Sequence, residues 1–170
     1  MPDRHIIDVA WSVVSLAETT STNDVARALA AAGAPEGTVV IADKQTSGRG
    51  RLGRAWHSPP GSGLWCSAIL RPRLPLGQLG PLALVVAIAV FRAGQRWRAT
   101  GLGLKWPNDL VADGRKVAGI LTEAVGGTET LPPEYVVVGI GVNVRRPEGG
   151  FPAPLEQTAG ALADLVGAIC

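Results

Sequence analysis

The chain is poor in the residues that build covalent or metal frameworks. It has two cysteines, Cys66 inside the apolar run LWCSAIL and Cys170 at the terminus, and these make no disulfide framework. Cys66 reads as a small buried hydrophobe, and such usage suits a reducing compartment, the cytoplasm. The two histidines, His5 and His57, stand far apart with no cysteine or carboxylate at ligand spacing, so no metal site is expected of them. Long hydrophobic runs are missing too. MPDRHIIDVAW at the N-terminus lacks a signal-peptide core, and GPLALVVAIAVF (Gly80 to Phe91) falls short of the ~20 residues that cross a bilayer. It reads as a buried helix, and no membrane partner is expected. Charged residues make up 18% against 46% hydrophobic, with a net charge of +2. That excludes a disordered chain and is too mild to imply nucleic acid.

What charge there is lies unevenly. KQTSGRGRLGRAW (Lys44 to Trp56) holds three arginines, one lysine and three glycines, with no acidic residue. Gly48, Gly50 and Gly53 let backbone N–H groups approach a ligand closely, and Arg49, Arg51 and Arg54 supply planar forks suited to carboxylate or phosphate. Trp56 offers a wall for a ring. Alone, this is a general anion-site signal, and a solvated surface loop is the competing reading. The spacing matches neither a Walker A loop nor a dinucleotide fingerprint.

Around the loop the pattern predicts strands over Ser12–Thr19, 37–45 and 63–72, the last closed by Pro72, and a helix capped by Ser21 or Thr22 that runs to Gly33. A long helix follows from about Leu79 to Trp97. LGLKWPNDLVADGRKVAGILTEAV reads as a strand, a proline corner and a hairpin turning at Asp113-Gly114. EYVVVGIGVNV is a further strand whose valines and isoleucine suggest burial on both faces. The tail PLEQTAGALADLVGAIC begins as a helix. With no repeat and no linker, the expectation is one α+β domain over 1–170, a mixed sheet with helices packed on one side.

Three other segments carry chemistry-bearing residues. In LKWPNDLVADGRK, Lys105 closes a strand, Pro107 breaks it, Asn108 and Asp109 project from the corner, and Lys116 returns alongside; an ordinary hairpin with an Asx turn is the plainer reading. TSTND could be a helix cap. GIGVNV could be a strand whose glycines mark a close approach.

Together and in this order, TSTND, ADKQTSGRGRLGRAWHSPPGSGLWCSAILRP, LKWPNDLVADGRKVAGILTE and VVVGIGVNV resemble the catalytic domain of the biotin protein ligases. The likeness runs from Thr20 to Val144 and, more weakly, into the tail. It implies a fold related to class II aminoacyl-tRNA synthetases and a two-step reaction. ATP, accompanied by Mg²⁺, activates biotin as biotinyl-5′-AMP; a lysine of a biotin carboxyl carrier protein then takes the biotinyl group. The resemblance implies that Ser21, Thr22, Asn23 and Gln45 hold the ureido ring, with Gly119, Gly139 and Gly141 close to biotin. Arg49, Gly50, Arg51 and Lys105 would hold the carboxylate–phosphate junction. Arg54, Trp56, Asn108, Lys116 and Asn143 would lie on the nucleotide side. Arg51, Lys105, Asp109 and Lys116 form the implied catalytic set, with Lys116 stabilising phosphate charge and Asp109 orienting the incoming amine or accepting its proton. The arginine loop is expected to be loosely ordered when empty and to fold over the adenylate.

Two departures from the family pattern stand out. The chain ends at Cys170, where the family continues through further helices and a small C-terminal domain, and the tail has Gly160-Ala161 where relatives usually carry Thr-Ser. No winged-helix segment precedes the first strand, so a repressor role and a nucleic-acid partner are not expected. The alternatives are a lipoate or octanoyl ligase and a truncated module that binds biotin or its adenylate without transferring it. The sequence does not set an oligomeric state.

Overall fold

In the computed structural model, which describes residues 9–96 and 101–165, seven strands hydrogen-bond into one mixed sheet. They are β1 (Ser12–Thr19), β2 (Thr38–Gln45), β3 (Gly63–Leu70), β4 (Leu102–Lys105), β5 (Asp109–Ala112), β6 (Arg115–Val125) and β7 (Tyr135–Asn143). Their order is β1-β2-β3-β7-β6-β5-β4. Only a crossover can return a chain parallel to its predecessor. Helix α1 (Thr22–Ala31) makes that crossover, so β1 and β2 run parallel while the other neighbours are antiparallel.

Helix α1 starts at Ser21, whose extended backbone lets its carbonyl accept the N–H groups of Asp24 and Val25 at 3.1 and 3.3 Å. Ala26 and Ala30, four residues apart, let the helix lie close on the sheet. Helix α2 (Leu82–Arg96) begins later than Leu79 because Pro81 disfavours helical backbone at Gly80; the Pro81 carbonyl instead accepts the Val85 N–H at 3.0 Å. The expected end at Trp97 lies outside the described residues.

The mixed sheet is as expected, but the helices do not share a side. Successive strand residues point to opposite faces. On β7, Tyr135 and Val137 pack with Ala26 and Ala30 of α1, whereas Val136, Val138 and Val142 pack with Ala87 of α2, Leu110 and Ile120. The apolar run of β7 needs cover on both faces, and each face receives one helix. Gly139, Gly141 and Asn143 continue the α1 face beyond the start of that helix. There the two glycines leave the sheet bare of side chains of its own.

The tail also differs from expectation. Residues 153–158 form turns, followed by a short 3-10 turn at Leu162–Asp164. Pro152 and Pro154 hinder a helix, and backbone pairing holds the segment elsewhere: Lys116 N–H donates to Thr158 O at 2.7 Å and Gly160 N–H to Lys116 O at 2.9 Å.

Candidate functional site

A cavity of about 630 Å³ opens over the bare part of the sheet. Its floor is Gly119, Gly139 and Gly141 on the paired strands β6 and β7, and its sides come from the start of α1, the arginine loop, the proline corner and the tail. All the residues singled out in the sequence as site candidates line this one space. They come from segments as far apart as Ser21 and Asn143.

One side is polar and uncharged. Thr22 N–H donates to Gln45 Oε1 at 2.8 Å, and Gln45 Nε2 donates to Ser58 Oγ at 2.9 Å. Ser67 Oγ lies 2.7 Å from Thr22 Oγ1 and 2.5 Å from Asn23 Oδ1. Ser21, Thr22, Asn23 and Ser67 are all buried, and the side chains of Thr22, Asn23 and Ser67 are fixed against one another and not against water.

The arginine loop folds as a small hairpin. Gly50 N–H donates to Arg54 O at 2.7 Å and Trp56 N–H to Gly48 O at 2.8 Å. The tip turns through Leu52 and Gly53, both with positive φ, leaving Leu52 89% exposed. Arg49 reaches back to the first turn of α1, where it meets Asp24 at 2.7 and 2.6 Å through two parallel contacts. Hydrogen bonding from Arg49 holds the Asp24 carboxyl below its usual range, and the same bond raises Arg49. Arg51 Nη1 donates to Asn108 Oδ1 at 3.2 Å, and Asn108 Nδ2 to Ile120 O at 2.7 Å, which ties the loop to the proline corner.

That corner turns at the cis peptide between Trp106 and Pro107. Lys105 is the last residue of β4 and is exposed, in register with Asp109 on β5. Lys116 Nζ lies 2.7 Å from Asp109 Oδ1, an ion pair set off the alignment of a hydrogen bond, and 5.2 Å from the centre of the Trp56 ring. Lys105, Lys116, Arg49, Arg51 and Arg54 thus bring five cations to one cavity that, among the described residues, Asp109 alone lines with a carboxylate.

The indole of Trp56 lies on the glycine floor. A Cβ on Gly141 would stand 2.7 Å from Trp56 Cε2 and Nε1, and one on Gly119 would stand 3.0 Å from Trp56 Cζ3. Gly119 and Gly141 are direct partners across β6 and β7, so two missing side chains make one flat platform. Trp56 Nε1 is buried with no hydrogen-bond partner among the described residues. Asn143 Nδ2 donates to Gly160 O at 3.0 Å, drawing the tail over the end of the cavity where Phe151, Leu155 and Thr158 also line the space.

The model of the Biotin/lipoate A/B protein ligase family matches residues 15–143, which includes every site segment except the tail. The chain belongs to that family. Among its relatives, the bifunctional ligase/repressor BirA of Bacillus subtilis is 43% identical over 148 residues, which is 87% of this chain and 45% of that protein. The biotin–[acetyl-CoA-carboxylase] ligase of Mycobacterium tuberculosis is 37% identical over 155 residues, covering 88% of this chain and 54% of that one. The biotin protein ligase from Aquifex aeolicus, solved in complex with biotin and ATP, superposes with a TM-score of 0.68 at 35% identity, covering 92% of this chain and 62% of that one. The chain therefore spans about half the length of the curated relatives it matches. Among its described residues no helix is long and apolar enough to cross a membrane.

Other residues of this family member took part unannounced. Asp24 and Glu123 hold Arg49, the latter at 4.0 Å, and Ser67 joins Thr22 to Asn23. A serine inside the apolar run LWCSAIL was the available signal for Ser67. Its neighbour Cys66 is inert: burial pushes that thiol up to about 11, so it is not a thiolate nucleophile at neutral pH.

Proposed function

We propose that this chain activates biotin with ATP as biotinyl-5′-AMP and passes the biotinyl group to a lysine of a carboxylase carrier domain. The observation that carries this reading is the division of one cavity into a neutral hydrogen-bonding wall at Ser21, Thr22, Asn23 and Gln45 and a cationic end at Arg49, Arg51, Lys105 and Lys116. A cyclic urea suits the first and a carboxylate joined to a phosphate suits the second.

The first step brings a carboxylate against a triphosphate. Like charges 4 Å apart repel by roughly 4 kcal/mol per unit pair at an effective dielectric near 20. Arg49, Arg51 and Lys105 offset this repulsion and hold the reactants in line while a carboxylate oxygen bonds to the α-phosphorus and pyrophosphate leaves with the bonding electrons. In the second step the carrier's amine nitrogen bonds to the acyl carbon, the C–O bond to AMP breaks, and the amine proton is released. Lys116 stabilises the charge that develops on AMP, and Asp109 orients the amine or takes its proton. The glycine platform and Trp56 take the nucleotide end, and the arginine hairpin covers the mixed anhydride against water.

Mg²⁺ fits here as a companion of ATP held by phosphates and water: Asp109 is the cavity's lining carboxylate and faces Lys116, and the described residues bring no three His, Cys, Asp or Glu together at metal-ligand spacing. The carrier is proposed by analogy with the Mycobacterium tuberculosis relative, whose name specifies acetyl-CoA carboxylase. The cytoplasm is the proposed setting.

Biotin-dependent ATP–pyrophosphate exchange on the 170-residue chain, followed by transfer to a carrier domain, tests the proposal. Exchange and transfer are expected, with biotin outcompeting lipoate. A folded chain showing no exchange overturns it. Exchange without transfer would cut the reading back to biotin activation alone.

A further inference from the structure

Behind the neutral wall one carboxylate sets the direction of a chain of hydrogen bonds. Glu123 Oε2, on β6, lies 2.6 Å from Asn23 Nδ2, and Oε1 lies 2.8 Å from Arg27. A carboxylate only accepts, so the Asn23 amide turns its NH₂ toward Glu123 and its oxygen away. That oxygen occupies the space over Gly139 that a Cβ would fill, and Ser67 Oγ meets it at 2.5 Å. An amide oxygen cannot donate, so the Ser67 proton fills this contact and is not available to Thr22 Oγ1, 2.7 Å away. The Thr22 proton fills that second contact. Thr22 Oγ1 also lies 3.1 Å from Gln45 Oε1, but that oxygen already accepts the Thr22 N–H at 2.8 Å, and the shorter approach takes the proton. The bonds therefore run from Thr22 to Ser67 to Asn23 to Glu123. With Ser67 fully buried, the group left facing the cavity is the Thr22 oxygen with its lone pairs.

We propose that Glu123 is a positioning residue which, through Asn23 and Ser67, makes Thr22 an acceptor for a ring N–H of the substrate. Glu123 thereby favours a cyclic urea with a free N–H over an analogue in which that nitrogen is blocked. Replacing the carboxylate by an isosteric amide removes the constraint, because the amide introduced by Glu123→Gln can donate to the Asn23 oxygen and reverse the order. The substrate part of this inference rests on the biotin reading above; the hydrogen-bond order does not.

The test uses Glu123→Gln in the 170-residue chain, with Arg27→Gln as the control that removes the closer of the Glu123 ion pairs but leaves its bond to Asn23. In the ligand-free protein, NMR of side-chain amides should show one Asn23 proton shifted downfield and slow to exchange, retained in R27Q and lost in E123Q. In calorimetry, E123Q should weaken biotin about tenfold, the scale of one net hydrogen bond, and lose most of the preference for biotin over its ring N-methyl analogue. R27Q should keep that preference. If E123Q does not fold, Ser67→Ala breaks the same chain one link along and should lose the same preference. An ordinary Asn23 amide signal in the wild type, or an unchanged preference in E123Q, overturns the proposal. A wild-type chain with the protected amide but no affinity for biotin overturns the biotin reading and the substrate part with it, and leaves the positioning of Asn23 standing.

Discussion

Arg49 and Asp24 meet as a two-point pair, at 2.7 and 2.6 Å, that fastens the arginine hairpin to the first turn of α1. Any anionic ligand that Arg49 is to hold must compete with that carboxylate. Asp24→Asn should weaken the hairpin's attachment, so trypsin should cut between Lys44 and Arg54 faster in the ligand-free protein. Unchanged digestion would mean that the pair does not hold the hairpin.

The same pair has a pH signature. Asp24 is held below its ordinary value of 3.8, so its contribution is fully present above that pH and is lost as pH falls through the lowered value. A pair this exposed contributes at most about 1 kcal/mol. Melting temperatures of wild type and D24N should differ by a constant small amount from pH 7 down to about 4 and converge below. A difference that grows in acid would contradict this assignment.

Lys116 and Asp109 should separate the two half-reactions. Lys116→Gln removes a cation from the phosphate end and should cut the rate of either half by about 10²-fold, in the range seen when one preorganised charge-stabilising group is removed. Asp109→Asn leaves adenylate formation largely in place and slows transfer to the carrier more. Exchange and transfer rates measured separately check both, and an equal loss in D109N would remove Asp109 from the second step.

Gly141→Ala should displace the indole of Trp56, since the new methyl would stand 2.7 Å from its ring atoms. A cost of about 1–3 kcal/mol is expected from the forced repacking, with a shift in tryptophan emission and weaker ATP binding. Unaltered emission would show that the ring does not rest on this glycine.

Asn143→Ala should release the tail. It removes the donor to Gly160 O at 3.0 Å and leaves a buried carbonyl unpaired, at about 1–3 kcal/mol. The KM for ATP should rise more than the KM for biotin if the tail lines the end proposed above for the nucleotide. A rise confined to biotin would contradict that placement.

The arginine hairpin and the proline corner were legible only as a pair: each alone reads equally as a surface loop or an ordinary hairpin, and it is their joint occurrence in one chain that resembles a family. The opposite placement of α1 and α2 was missed, since helices on one side were expected, although a cue to it was present. The unbroken apolar character of Val136, Val137 and Val138 pointed to cover on both faces, and the packing of one helix against each face is what that pattern required. Glu123 and Ser67 were not legible as site residues. Their meeting with Asn23 depends on the register of β3 and β6 against β7, where Ser67 and Leu121 both pair with Gly139, and no local pattern encodes that register. The tail failed for a related reason. Its composition reads as helix, but pairing with Lys116 decides its path.

The cavity floor belongs to the central strand β7 and its neighbour β6, while its covers are two segments outside the sheet, the arginine hairpin after β2 and the turns after β7. Those covers reach the sheet's interior through Leu162 and its neighbours from the tail and, from the hairpin, through Trp56, which stands edge-on to the buried Trp65 of β3. Away from these anchors, the lining that each cover brings to the cavity can therefore change while the strands that keep the protein folded stay as they are.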